Sequence, residues 1–289
     1  MKNNHLLSII ALLAMSTALN AASLPRESAV PGGIALVDLG SANTPAPHAR
    51  YQGNRVMVQQ HEGRWWAVVG LPLATQPGKQ SLKVTEKGSA ARSIDFDVID
   101  KKYTEQRLTL QNKKMVDPDP EDLKRIAREQ KLSKEAFAKW SNKEEVTLLF
   151  STPINGRLSS PFGLRRFFND QARAPHSGLD IAAPQGTEVL APAEGTVIET
   201  GEFYYNGRTV FIDHGQGLVS MYCHLDTINV KKGDHIAQGE SFATVGMTGR
   251  ATGPHLHWSV SLNDARIDPS LLLSPETEAA LSTSPAPNH

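Results

Sequence analysis

The sequence predicts a mainly β protein with a small N-terminal β-sandwich, a helical linker and a C-terminal antiparallel β-sheet domain. Three observations predict it. Residues 29–99 run as short apolar stretches of alternating polarity separated by turn residues. Residues 101–146 are rich in charge and contain no glycine, and residues 147–269 return to the alternating pattern with many glycines.

Composition narrows the class. The length of 289 residues suits two ordinary domains. Lys and Arg number 30 and Asp and Glu number 30, so the basic surplus that nucleic-acid binding requires is missing and no nucleic-acid partner is expected. Apolar residues make up 39% and charged residues 21%, the balance of a folded rather than a disordered chain. One cysteine, Cys223, excludes an internal disulfide and any cysteine-cluster metal site. A metal would have to be held by histidines and carboxylates.

At the N-terminus, Lys2 precedes the apolar run from Leu6 to Met15, followed by small residues at Ser16 to Ala18 and Asn20 to Ala22. That layout predicts a signal peptide over residues 1–22, cut within residues 18–22. A membrane anchor is the alternative, but the run falls short of the roughly 20 residues a bilayer demands. No cysteine follows it, so lipoprotein processing is not expected. Losing Lys2 would leave a net charge of −1. No second apolar run of spanning length occurs, so no transmembrane segment is expected once the signal is removed.

Residues 23–100 hold strand candidates at 33–37, 55–58, 65–69 and 81–84. Turn chemistry separates them, at Pro31 to Gly33, Gly53-Asn54, Glu62-Gly63 and Pro77-Gly78, which fits the sandwich. Trp65 and Trp66 read as one core ring and one edge ring, with a sugar-stacking platform as the alternative. In the linker, residues 101–146, Asp119 is placed as a helix N-cap. Pro120 stands at the first helical position, and Glu121 and Asp122 in the first turn. An apolar stripe of Leu123, Ile126, Ala127, Phe137 and Trp140, interrupted near Ser133, predicts one or two helices. Residues 147–270 carry strand candidates at 188–191, 195–198, 209–212, 219–222, 242–245 and 256–261. The tail, 271–289, is expected to be disordered, and no phosphate-binding GxxxxGK[ST] loop occurs.

Six of the ten histidines lie between residues 176 and 257. His176 and Asp180 form an HxxxD pair; Gly178 between them and Pro175 before them predict a loop entering a strand. His255 and His257 form an HxH pair, which on a strand points both rings to one face, suited to one site or to a chance surface pair. His224 lies in Met221-Tyr222-Cys223-His224-Leu225. Alternation predicts Tyr222 and His224 on one face and Cys223 on the other, leaving Cys223 to packing. Two histidines and one aspartate would make an open zinc site.

The motifs resemble those of the LytM/lysostaphin-type zinc peptidases. Ser160-Pro161-Phe162-Gly163-Leu164-Arg165 is similar to that family's SxFGxR strand, and His176 to Pro184 to its HxGxDxxxP segment. Gly186 to Val189 with Gly195 to Val197 resembles its GTPV…GxV hairpin. Tyr222 to Leu225 resembles its YxHL strand, and Gly246 to Trp258 its GxTGxxTGPHLHF run, with Trp258 in place of the commoner Phe. The resemblance covers about residues 150–270, and the β-domain ahead of it is similar, more weakly, to that of Gram-negative members.

The resemblance implies a LytM-type peptidase domain with one zinc ion per chain, held by His176, Asp180 and His257. His224 and His255 would be the catalytic pair, and His214 and His235 would not be ligands. It implies an exported endopeptidase, in the periplasm, hydrolysing peptide cross-links of peptidoglycan through a metal-activated water. Its partners would be the peptide stems. The alternative is a non-catalytic relative that binds and activates a cell-wall amidase; such relatives lack several of these five residues. The N-terminal domain or the linker could also cover the groove expected around the five.

Overall fold

The structure, a computed structural model, describes residues 23–108, 118–168, 171–172 and 174–283. The leader expected over residues 1–22 lies outside them. Among the described residues no helix is long and apolar enough to cross a membrane.

The N-terminal part is an antiparallel sheet of six strands: β1 (Ile34–Ser41), β2 (His48–Tyr51), β3 (Asn54–His61), β4 (Arg64–Gly70), β5 (Gly78–Thr85) and β6 (Arg92–Val98). Their order is β1-β4-β3-β2-β5-β6. Strand β3 changes partner midway. Residues 54–56 pair with β2 and residues 57–61 with β4, so the sheet turns a corner there and encloses a core of Val37, Tyr51, Val69, Leu82 and Val84. Glu62 and Gly63, with φ of 48° and 72°, make the two-residue hairpin that the right-handed strand twist favours. Trp65 and Trp66 are both half-buried; Trp65 packs on this core and its indole N–H donates to the Thr44 carbonyl at 2.8 Å.

Two elements follow in the linker: β7 (Glu105–Leu108), which the charge-rich sequence does not predict, and α1 (Pro120–Phe137). Asp119 caps α1 by accepting from the Glu121 and Asp122 backbone N–H groups. Of the one or two helices expected, one forms and runs unbroken through Ser133, whose hydroxyl donates back to the Glu129 carbonyl at 2.9 Å.

The C-terminal part contains β8 (Arg157–Ser160), β9 (Arg165–Phe168), β10 (Gln171–Ala172), β11 (Leu179–Ala182), β12 (Glu188–Leu190) and β13 (Gly195–Phe203). Then come β14 (Gly207–Gly215), β15 (Leu218–Ile228), β16 (His235–Ile236), β17 (Ser241–Val245), β18 (His255–Leu262) and β19 (Ala265–Ile267). Ten of these strands share one sheet, whose main run is β16-β13-β14-β15-β18-β11-β8. Separately, β9 is flanked by β10 and, in parallel, by β7.

The large sheet has two differently used faces. Ile212, Tyr222, Leu256, Trp258 and Val260 point into the main core. Trp258 is fully buried there, stacked on Phe150 at 6.4 Å. On the opposite face Phe211, Val219, Met221 and Cys223 are covered by Phe137 at the end of α1, whose ring meets that of Phe211 at 5.2 Å.

The N-terminal sheet docks at the Leu262 end of β18. Asn263 accepts from the Gly70 N–H at 2.6 Å and donates to the Gly70 carbonyl at 2.9 Å, and Ile34, Met57 and Val68 join the main core. The chain end corrects an expectation. Residues 271–283 are not disordered: a 3-10 turn (Pro269–Leu272) leads into α2 (Pro275–Thr283). Leu272, Leu273 and Leu281 bury apolar surface in the core, and Arg26 pairs with Glu278 at 2.6 Å. Residues 284–289 lie outside the described residues.

Candidate active site

Strands β11 and β18 bring the first two motifs together. They pair antiparallel with Asp180 opposite His257 and Ala182 opposite His255. Partners directly opposite share a face, so the Asp180 carboxylate and the HxH pair meet on the face away from the main core. His176 comes from the loop before β11. Its backbone is fixed at both ends, with the Gly163 N–H donating to the His176 carbonyl at 2.8 Å and the His176 N–H to the Leu164 carbonyl at 2.9 Å.

Three side-chain atoms converge. His176 Nε2 lies 2.9 Å from Asp180 Oδ1 and 3.0 Å from His257 Nδ1, and His257 Nδ1 lies 2.8 Å from the same oxygen. The outer partners fix the protons. His176 Nδ1 faces the Pro161 carbonyl at 2.8 Å, and a carbonyl only accepts, so the ring hydrogen sits on Nδ1. Ser259 donates its only hydroxyl hydrogen to the Ser177 carbonyl at 2.9 Å, so it must accept from His257 Nε2 at 2.8 Å. Both inward nitrogens are therefore bare lone pairs aimed at a carboxylate oxygen. Three acceptors within 4.8 Å of one another repel unless a cation lies among them. Two imidazole nitrogens and a carboxylate oxygen form a donor set that zinc accepts. The residues fit such an ion.

Burial raises the Asp180 pKa, but the close contacts with His176 and His257 outweigh it and hold the carboxyl well below the usual range. Burial lowers the pKa of His257, partly opposed by Asp180.

His224 and His255 lie beside this cluster. Their ring centroids are 4.6 Å apart, and His224 is 6.2 Å from His257. Each Nδ1 meets a backbone carbonyl at 2.8 Å, Thr248 for His224 and Gly253 for His255, so each Nδ1 carries the hydrogen and each Nε2 is left basic. Burial, then repulsion from His255 and His257, pushes the His224 pKa down to about 3 and keeps that ring neutral.

Strand alternation fails at His224. Tyr222 lies in the main core opposite Trp258, yet the His224 ring is on the other face with His255 and His257. The backbone at His224 has φ of 60°, and its N–H donates to the Asn206 carbonyl at 2.8 Å rather than continuing the regular ladder. Such a bulge puts two successive side chains on one side. Cys223 therefore shares the face of its partner His257 instead of opposing His224, but it is fully buried under the α1 face and burial pushes its thiol pKa up.

His214 is buried away from the five, between the Glu194 carbonyl at 2.8 Å and the Ser220 hydroxyl at 2.7 Å. His235 is exposed on β16. His176, Asp180 and His224 are each under a tenth exposed, with His255 and His257 half-buried. A cleft of about 640 Å3 between the end of α1 and β13–β14 contains none of the five. Sequence reasoning missed Ser259 and the carbonyls of Pro161, Thr248 and Gly253. Ser259 was findable, two residues beyond His257 on the same strand face.

The sequence profile of Peptidase family M23 matches residues 174–269, and that of the Peptidase family M23 N-terminal domain matches residues 27–101. A candidate M23 peptidase of Pseudomonas aeruginosa, solved by crystallography, superposes with a TM-score of 0.73 at 46% identity, covering 85% of this chain and 95% of that one. The DD-carboxypeptidase/endopeptidase Mpg of Neisseria meningitidis serogroup B is 38% identical over 122 residues, 42% of this chain and 28% of its own. The peptidoglycan DD-endopeptidase ShyA of Vibrio cholerae serotype O1 is 43% identical over 105 residues, 36% of this chain and 24% of its own. The chain thus spans about a quarter of the length of these curated relatives. Sheet and sequence together define a member of a peptidase family. The chain belongs to peptidase family M23.

Proposed function

We propose that this chain is an exported zinc endopeptidase that hydrolyses peptide cross-links of peptidoglycan in the periplasm. His176, Asp180 and His257 hold one zinc ion, and His224 and His255 act on the reacting atoms, all within the peptidase region, residues 147–270. The observation that carries the reading is the convergence of an imidazole nitrogen each from His176 and His257 on one Asp180 oxygen, with the His224 and His255 rings packed alongside.

A bound zinc ion would acidify a water molecule and polarise the scissile carbonyl. The chain supplies the rest. With Nδ1–H tied to a backbone carbonyl, the Nε2 of His224 or His255 is free to take the proton of the attacking water. The imidazolium so formed donates its Nε2–H to the developing oxyanion and then passes the proton to the leaving amine nitrogen as the peptide bond breaks. The similarity to a DD-carboxypeptidase/endopeptidase and a peptidoglycan DD-endopeptidase supports a DD cross-link as the bond cut.

The test is incubation of the purified, zinc-loaded protein with intact sacculi, reading muropeptides by mass spectrometry. Dimers should fall and monomers rise, with the effect abolished by chelation. An unchanged dimer fraction would refute the enzyme reading, and stimulation of an added amidase by the same protein would establish the activator instead.

A further inference from the structure

We propose that Tyr103 is a positioning residue for His176, through which the N-terminal β domain holds the candidate metal ligand in place. The inference rests on the reading of His176 as a ligand and adds a route of control to it.

The contacts form one continuous chain. At the N-terminal end, the Tyr103 hydroxyl donates to the Pro31 carbonyl at 2.7 Å, in the turn that precedes β1. At the other end the Tyr103 ring lies against the Phe162–Gly163 turn, edge-on to Phe162 at 6.2 Å. Gly163 has φ of 78°, and a Cβ there would enter the Tyr103 ring, so the turn accepts the tyrosine only because it is glycine. Gly32 closes the same contact from the opposite side: a Cβ on it would come 2.5 Å from Phe162 and 3.0 Å from the Tyr103 hydroxyl. Next in sequence, the Thr104 carbonyl accepts from the Arg165 N–H at 2.9 Å, and β7 then runs in parallel with β9.

The braced turn is the one that holds His176. It supplies the Gly163 N–H and Leu164 carbonyl on the His176 backbone, and the Pro161 carbonyl on its ring. Outer partners of this kind set the tautomer and direction of a ligating imidazole. The domain is therefore more than a neighbour: its Pro31 turn, Tyr103 and the Phe162 turn form a stack ending at the nitrogen that must be protonated for His176 Nε2 to present a lone pair.

The experiment uses the full chain. Zinc Kd is measured by competition with a chromophoric chelator, and long-range 15N NMR of the metal-free protein reads the His176 tautomer. Tyr103→Leu should weaken zinc binding about 10-fold or more and mix the tautomers, whereas Tyr103→Phe, which keeps the ring, should stay within about threefold. If Tyr103→Leu does not fold, Gly32→Ala presses on the same contact and should give the same two effects. Ile94→Ala, in the N-terminal sheet away from this stack, is the control for general destabilisation and should leave zinc Kd unchanged. A folded Tyr103→Leu with zinc Kd within twofold of the parent and a single Nδ1–H tautomer would overturn the proposal, as would equal weakening by Ile94→Ala. His176→Ala separates the two levels. Full zinc in that variant would sink the ligand assignment and the proposal with it, while lost zinc there beside an unchanged Tyr103→Leu would sink only the role of Tyr103.

Discussion

His176 and His257 each commit one ring nitrogen to a protein acceptor, and this commitment decides what the inward nitrogen can do. Replacing an inward atom should then differ in kind from replacing an outer one. His176→Ala, Asp180→Ala and His257→Ala should each lose bound zinc in elemental analysis. Ser259→Ala leaves the ligand atoms intact but removes the acceptor of His257 Nε2–H, so zinc should still bind, about 10-fold or more weakly. His224→Ala and His255→Ala should keep zinc and lose hydrolysis by roughly 10²-fold or more. Full zinc in all three ligand variants would remove the assignment, and parental Kd in Ser259→Ala would show that the tautomer needs no outer support. The five residues could be picked from the sequence because HxxxD, HxH and YxHL are patterns of side-chain type. Their tautomers could not, since three of the four fixing groups are backbone carbonyls, which any residue type supplies. The side taken by His224 was also hidden: alternation presumes a regular ladder, and a positive φ at a histidine has no sequence signature.

Strands and helices show the same division. Strands with dense apolar alternation, such as β4, β14 and β18, were readable because burial on one or both faces is their main energetic term. Strand β7 was not, because Glu105-Gln106-Arg107 has no apolar face and is held by its parallel pairing with β9. Nor was α2, whose sequence after Pro275 carries only Leu281 as a large apolar anchor. One element junction carries a pH consequence. His214, on β14, ties the Glu194 carbonyl before β13 to Ser220 on β15, donating from Nδ1 and accepting the Ser220 hydroxyl at Nε2. Burial lowers its pKa to about 4. The unfolded chain, titrating near the ordinary histidine value of about 6.5, binds a proton that the folded chain refuses, so stability falls as pH drops through this window and the loss is complete below about 4. The expected cost is about 3 kcal/mol across the whole window. Urea midpoints between pH 7 and 4.5 should drop more steeply for the parent than for His214→Gln, which has no proton to gain. Parallel slopes would mean that His214 titrates normally in the fold.

The molecule as a whole is arranged along β18. The histidines stand at its start and the N-terminal sheet is clamped at its end, about 20 Å away at the usual rise per residue. The clamp therefore lies a strand's length from the histidines, while the Pro31 turn of the same N-terminal part reaches the turn that holds His176 through Tyr103. The clamp itself is small. Asn263 and Asp264, with φ of 46° and 64°, form the two-residue turn between β18 and β19, a conformation asparagine tolerates well. In that turn the Asn263 amide satisfies both the N–H and the carbonyl of Gly70. Gly70 has no room for a side chain, since a Cβ would lie 2.5 Å from the Leu262 carbonyl, so the two backbones approach closely and water cannot easily replace the amide. Asn263→Gly keeps the turn conformation available and removes only the amide, leaving a buried N–H and C=O unpaired. That should cost about 2–4 kcal/mol in urea unfolding. Because the lost bonds lie between the two sheets, calorimetry should also change from one transition in the parent toward two in the variant. Stability within 0.5 kcal/mol of the parent, with a single transition retained, would mean that Ile34, Met57 and Val68 hold the two parts together without the asparagine.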